Sequence, residues 1–310
     1  MNFGDIWLLK PLKPKPHQKP AVKDGHGHFV IPKATRGKLI MPCGSGKSLT
    51  AYWIAGKLES RRIVIAVPSL ALIRQTLKVW LRETQANHQA VEWICVCSDE
   101  SAGRVERDDS AVLRQDLGVP CLTDPREIAA WLKRKHRGLT VVFTTYQSGE
   151  TLAKAARAAK FTFDLGIMDE AHKTVGDGEK LFSHLLHDKN LPIRRRLFMT
   201  ATERRYKGQS DTVLSMDDPA TYGETFHLLS FKRAMEYDPP ILSDYKIISI
   251  AVSRDDDGIA RHTRRQHRIE QKLQREGYVS AFRSQAVQDA IEKGMLGRIA
   301  VVYMEWSGPM

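Results

Sequence analysis

From Lys38 onward, short β-branched apolar runs alternate with longer segments of helical period, and that rhythm restricts the fold more than any other feature of the chain. KLIMP leads into a helix from Lys47, RIVIAVP into another from Leu70, and VEWICVC precedes a helical stretch from Pro125 to His136. TVVFTTY then precedes the Ala-rich ETLAKAARAAK, FDLGIMDEAH precedes the helical EKLFSHLLH, and RLFMTAT closes the series. Apolar runs without period-2 alternation suit strands covered on both faces, and the helices between them require crossovers. The expected fold class is α/β, a parallel sheet flanked by helices.

With 310 residues and 42% apolar side chains, the chain can bury one large core or two ordinary ones. Its net charge of +12 inclines it toward polyanions without naming one. The four cysteines, Cys43, Cys95, Cys97 and Cys121, form no C-x-x-C pair. Cys95 and Cys97 stand two apart in a strand and read as buried thiols on one face. MNFGDIWLLK lacks a charged n-region, and no apolar stretch is long enough to span a bilayer. The expectation is a cytoplasmic protein with no membrane partner.

Composition divides the chain into an N-terminal segment at 1–36, the α/β region at 37–210, a connector with a first strand toward a second unit at 211–252, and an incomplete C-terminal α/β segment at 253–310. Residues 98–109 (SDESAGRVERDD) read as a surface loop or insertion. The connector carries Pro219, Gly223, Pro239 and Pro240 among apolar residues and reads as chain leaving the sheet.

Chemistry concentrates at two places. MPCGSGKS, at 41–48, lies between a strand and a helix. Binding a triphosphate needs backbone N–H groups converging on oxygen, which calls for Gly44 and Gly46 within the loop Cys43, Gly44, Ser45, Gly46. Lys47 would neutralise phosphate charge and Ser48 would ligate Mg²⁺, beside the positive end of the following helix. Met41 stands where the strict phosphate-loop pattern has glycine, so a glycine-rich turn ending in Lys-Ser is the bland alternative. Downstream, a buried strand ends in Asp169 and Glu170. The first can hold the metal, and the second can orient and deprotonate an attacking water; helix capping is the plainer reading.

The order MPCGSGKS, VPSLALIRQT, TTYQS, DEAH, TAT resembles superfamily 2 helicases and translocases of the DEAH-box type, and above all the motor subunits of restriction-modification and phage-defence systems. The resemblance runs from about residue 12 to 252 and implies a RecA-like P-loop domain using ATP and Mg²⁺. It implies that Gln18 reads the adenine edge, with an ordinary surface glutamine as the alternative. It implies further that Pro68, Ser69, Arg74, Thr144, Thr145, Tyr146 and Gln147 line a track for a nucleic-acid backbone, DNA in preference to RNA, though turn and capping chemistry would use the same residues. His172, Thr200 and Thr202 resemble the residues that relay nucleotide state to that track.

Three bland readings accompany these. His26 and His28 lack a matching pair of metal ligands, Arg194, Arg195 and Arg196 read as an exposed turn, and Arg261, Arg264, Arg265 and Arg268 as a solvated helix. No Q-x-x-G-R-x-x-R block of a second motor lobe is found, and the arginines that stabilise transferring phosphoryl charge can come from another protein. A second-lobe, nuclease or methyltransferase partner is the corresponding expectation, with weak hydrolysis by this chain alone and a fragment or fusion as its origin. The tail from about residue 271 to 309 resembles the opening of a von Willebrand A-like domain. The rival readings are a nucleotide-binding regulatory or interaction module without turnover, and a small-molecule kinase, which the DEAH and TAT blocks disfavour.

Overall fold

The computed structural model describes residues 9–97, 118–177, 181–206 and 213–242, and three further strands at 246–250, 279–280 and 299–304. By its internal contacts the chain divides into a unit spanning Met1–Phe231 and another spanning Lys232–Met310.

The first unit is built on an eight-stranded sheet. In chain order its elements are α1 (Gln18–Val30), β1 (Arg36–Ile40), α2 (Lys47–Lys57), β2 (Arg62–Val67), α3 (Leu70–Ala86), β3 (Val91–Val96), β4 (Cys121–Leu122), α4 (Pro125–Lys133), β5 (Leu139–Thr145), α5 (Gly149–Ala158), β6 (Leu165–Met168), β7 (Gly176–Asp177), β8 (Arg196–Thr200), β9 (Val213–Leu214), α6 (Pro219–Tyr222) and β10 (Glu224–Leu228). The sheet order is β10-β1-β8-β6-β2-β5-β3-β4, and every pairing within it is parallel. β7 and β9 form a separate antiparallel pair.

Both faces of the sheet are covered, which explains the unbroken apolar strands. All seven residues of β5 are buried, as are the last five of β2. Val64 and Ala66 join Val142, Phe198 and the inner faces of α4 and α5 in one core cluster. The alternate residues Ile63, Ile65 and Val67 point to the other face, where α3 packs on β2 and β5. Caps fix where these helices begin. The Ser69 hydroxyl accepts the Leu72 N–H, and the Asp124 carboxylate accepts the Arg126 N–H with Pro125 in the first turn.

Three sequence expectations change here. The expected helix of EKLFSHLLH is, over its described residues, a six-residue 3-10 turn at Leu181–Leu186, with Leu185 and Leu186 both buried. The stretch read as chain leaving the sheet instead returns as β10, the sheet's edge beside β1. Its half-exposed edge position explains why it lacks the apolar run that marks the inner strands. Arg196 does not sit in an exposed turn: it is 1% exposed, pairs with Asp188, and donates to the carbonyls of Leu185 and Leu191. Burial draws its guanidinium pKa down to about 10, against the opposing pull of Asp188.

The second unit contains β11 (Lys246–Ile250), β12 (Val279–Ser280) and β13 (Ile299–Met304) in an antiparallel sheet of order β11-β13-β12. The strand expected near residue 246 is therefore present. The arginines at 261–268, the loop at 98–109 and most of the tail read as von Willebrand A-like lie outside the described residues.

Candidate nucleotide site

The polar side chains gather at the C-terminal ends of the parallel strands, where α/β sheets collect ligands. β1 ends at Ile40 and runs through Met41 and Pro42 into the loop of Cys43, Gly44, Ser45 and Gly46 before α2 starts at Lys47. Gly44 and Gly46 hold φ of 80° and 83°, the left-handed region that glycine enters without penalty. A side chain at Gly46 would also collide with the Gln18 amide, so two constraints select glycine there. Because Gly46 offers no side-chain cap, the first N–H groups of α2 remain directed into the loop, as an anion requires.

Four side chains surround that loop. Gln18 Nε2 donates to the carbonyls of Ser45 at 3.2 Å and Gly46 at 3.4 Å, while its Oε1 accepts the Lys15 N–H at 2.9 Å. His17 Nε2 lies 3.0 Å from the same Ser45 carbonyl. Lys47 Nζ donates to the Pro42 carbonyl at 3.4 Å and stands 3.9 Å from Glu170 Oε1. Ser48 Oγ is buried and makes no hydrogen bond among the described residues. An orphaned buried hydroxyl is costly, and a metal ion beside it would supply the missing partner. The loop, the lysine, the orphaned serine and the acidic pair together fit a Mg²⁺-bound triphosphate.

β6 delivers the acids. Asp169 continues its pairing, donating N–H to the Ala66 carbonyl, and its Oδ1 accepts the Glu170 N–H at 2.9 Å. Burial, reinforced by the neighbouring Glu170 charge and opposed by Lys47, pushes the Asp169 carboxyl up to about 6. Glu170 adopts φ 48° and ψ 45°, a left-handed conformation uncommon for a residue with a Cβ, which turns its side chain between Lys47 and His172.

His172 connects the acids to β8. Its Nδ1 is 3.0 Å from Thr200 Oγ1 and 3.3 Å from Glu170 Oε2. Thr200 donates its hydroxyl proton to the Thr202 carbonyl and accepts the Thr202 N–H, so the imidazole must be the donor at Nδ1. Burial holds the His172 pKa below its ordinary value, outweighing Glu170, and the ring is neutral at pH 7. His172, Thr200 and Thr202 thus form one hydrogen-bonded chain, with the Glu170 carboxylate 3.3 Å from its imidazole end.

The expected backbone track divides differently. Val67 pairs with Thr145, so 68–69 and 146–147 leave the sheet side by side. Arg74 and Gln147 retain exposure, and Pro68 and Ser69 are half-buried. Thr144, Thr145 and Tyr146 have no exposed surface. Thr144 Oγ1 donates to the Val96 carbonyl, and Thr145 Oγ1 caps the next turn by accepting the Ser148 N–H. Tyr146 Oη donates to the Asp169 carbonyl at 2.7 Å. The Tyr146 side chain is thus turned away from the surface, its phenol spent on the carbonyl of Asp169, so a track at this turn would meet its main chain. Ser69 serves as the α3 cap, the plainer of its two readings.

Two participants escaped sequence reasoning. His17 could have been found from its place beside Gln18. Lys38 is a buried cation in the apolar strand β1, where it pairs with Glu203 at 2.6 Å and so ties β1 to the turn after Thr202. A lysine inside KLIMP was the available signal.

Comparison with known proteins agrees with this architecture. The chain is 32% identical over 199 residues to "Probable helicase A859L" of African swine fever virus (isolate Tick/Malawi/Lil 20-1/1983), covering 64% of this chain but 20% of the viral one. Among solved structures it superposes on the Type ISP restriction-modification enzyme LlaBIII bound to DNA with a TM-score of 0.63 and 31% identity, covering 76% of this chain and 16% of that one. The nuclease-deletion mutant of the Type ISP enzyme LlaGI, in complex with a DNA substrate mimic, gives 0.58 and 30%, covering 84% and 23%. The chain thus spans about a fifth of the length of the viral helicases it matches. Residues 266–310 match a protein family of unknown function (DUF1194), a description that says nothing of a von Willebrand A-like fold. Residues 11–205, from before Gln18 to beyond Thr202, match the model described as Type III restriction enzyme, res subunit (ResIII). The chain belongs to that family, and this stretch is its superfamily 2 helicase-type ATPase domain, a RecA-like α/β lobe.

Proposed function

We propose that the chain is the ATP-binding lobe of a nucleic-acid-dependent ATPase, a DNA helicase or translocase of restriction or phage-defence type. The observation that carries this reading is the convergence of the orphaned Ser48 hydroxyl, Lys47 and the buried Asp169 on one glycine loop. Ser48 and Asp169 would hold Mg²⁺, which when bound supplies charge neutralisation at the phosphates. Lys47 and the first N–H groups of α2 bind the triphosphate oxygens. Glu170, held between Lys47 and His172, takes the proton of the attacking water. Gln18 positions the loop through its two carbonyl bonds, and with them faces the adenine. His172, Thr200 and Thr202 transmit the state of Glu170 to the exposed turn after β8.

Nucleic acid runs across the ends of β2 and β5, contacted by Arg74, Gln147 and the backbone around Pro68 and Ser69. The DNA carried by the LlaBIII and LlaGI structures supports that choice of polymer. A second lobe, whether in a longer form of this chain or in a partner that also carries nuclease or methyltransferase parts, would provide the phosphoryl-stabilising arginines. The reading without turnover rests on the missing Q-x-x-G-R-x-x-R block. Steady-state ATP hydrolysis with and without DNA decides between them. DNA-stimulated turnover that disappears in Lys47→Ala supports the motor, whereas tight ATP binding with background turnover supports the binding module.

A further inference from the structure

The proposed function leaves one strongly charged feature unused. Between residues 9 and 23 the sequence reads LKPLKPKPHQKPAVK, with Lys10, Lys13, Lys15, Lys19 and Lys23 and no acidic residue. All five lysines are exposed, and none forms an ion pair with a carboxylate among the described residues. Five unneutralised ammonium groups on one short segment repel one another, a cost that a polyanion removes.

The segment is pinned, so the charges are held in order. Glu83 has no exposed surface; its carboxylate accepts the Leu12 N–H at 3.1 Å and pairs with Arg82, whose Nη2 donates to the Lys10 carbonyl at 3.2 Å. At the other end the Lys15 N–H is held by Gln18, and Lys19 and Lys23 follow one turn apart on α1. Pro11 and Pro14 fix φ near about −65° and bias Lys10 and Lys13 ahead of them toward extended backbone, where a polyproline rise is about 3.1 Å per residue and every third residue returns to the same side. Pro16 instead lies in the turn in which the Lys15 carbonyl accepts the Gln18 and Lys19 N–H groups. Lys10 and Lys13 then share a side at about 9 Å, with Lys15 about 6 Å further on. A ridge prepared this way loses little entropy on meeting its ligand.

We infer that this ridge is a second nucleic-acid contact, binding the phosphate backbone without reading sequence. The inference rests on the proposed function. Protein interfaces are depleted in lysine and rich in aromatic residues, whereas phosphate contacts use lysine freely, so the composition favours nucleic acid over an acidic protein. Along α3, Arg82 lies about 12 Å from Arg74, near enough for one polymer to pass both.

The test is fluorescence anisotropy of a short labelled duplex titrated with the whole chain across a range of salt. The five Lys→Gln changes should flatten the dependence of log affinity on log salt by roughly 4 and weaken binding on the order of 10²-fold at low salt. Five Lys→Arg changes, equal in number and retaining charge, should restore the wild-type slope. Lys19→Gln with Lys23→Gln alone should flatten it by about 2, which keeps the test alive if the fivefold variant folds poorly. Wild-type slope and affinity in the Lys→Gln variants would overturn the ridge and leave the motor reading standing, whatever else the ridge binds. Absence of any duplex or single-strand binding by wild type would instead sink the nucleic-acid reading, and the ridge with it.

Discussion

At the ends of β1 and β6 the chain buries polar side chains and leaves some of their bonding capacity unspent, whereas at the ends of β2 and β5 it turns them back on its own backbone. Ser48 Oγ finds no partner, and Lys47 reaches a carboxylate only at 3.9 Å. Thr145 and Ser69, by contrast, cap the turns that follow their strands, and Thr144 ties the end of β5 to that of β3. Under the proposed function the difference matches what each motif would meet. A triphosphate with its metal must be met by particular charges and hydroxyls, so its residues stay available. A sugar-phosphate backbone can be met by main-chain N–H groups and the occasional arginine, so its motif builds a turn of the right shape.

The sharpest contrast is expected from Glu170→Gln. Removing a general base should cost about 10²–10⁴ in turnover while ATP binding persists, since Lys47, Ser48 and Asp169 remain. Single-turnover hydrolysis beside nucleotide affinity measures it. A loss of that size from Thr145→Val, without loss of stability, would break the comparison by showing that a capping hydroxyl acts chemically.

Asp169→Asn should separate stability from function. The folded carboxyl titrates at about 6 against an ordinary 3.8, so the fold favours its protonated form. That stabilisation is complete below the unfolded value and is lost as pH rises toward and through 6. In Mg²⁺-free buffer, wild type and Asp169→Asn should be equally stable near pH 3.8 and diverge by about 3 kcal/mol above 6, the amide being the more stable. Asparagine can still accept the Glu170 N–H, so little else changes. Denaturant melts at several pH values check this, and equal stability of both proteins throughout would mean that Asp169 is better solvated than its burial implies. Metal-dependent nucleotide binding should fall in the same variant, a stability–function trade at one residue.

On the other side of the comparison, Tyr146→Phe should act on stability rather than on nucleic acid. It removes a buried donor and leaves the Asp169 carbonyl unsatisfied, at a cost of about 1–3 kcal/mol. Measured where both proteins are folded, DNA affinity should be unchanged. Weakened binding without destabilisation would return Tyr146 to the track that its motif suggests.

The same division governs how much could be read from the sequence. The inner strands announced themselves because burial on both faces forbids alternation, and the glycine loop and acidic pair because few other residues perform their chemistry. β10 was hidden because an edge strand may stay half-exposed, and Tyr146 because a motif letter does not say which way its side chain turns. Arg196 was misread for a related reason: charge predicts exposure unless a partner lies nearby, and Asp188 is eight residues away, across a turn that the sequence does not close. Lys38 and Glu203 are 165 residues apart, a pairing that only the sheet brings about.

Arg74→Ala gives the smallest effect and the finest cut. Arg74 is exposed on the first turns of α3, with no folding task comparable to the Ser69 cap. If it contacts one phosphate, its removal should flatten the salt dependence of DNA binding by about 1 and leave ATP affinity and melting temperature alone. Ser69→Ala should do the reverse, lowering stability by about 1 kcal/mol through loss of the cap while the salt slope holds. Binding isotherms at graded salt, read beside melts of both variants, separate the two. An unchanged slope in Arg74→Ala would leave the track to main-chain groups alone, and would move the search for its cations to the lysines ahead of α1.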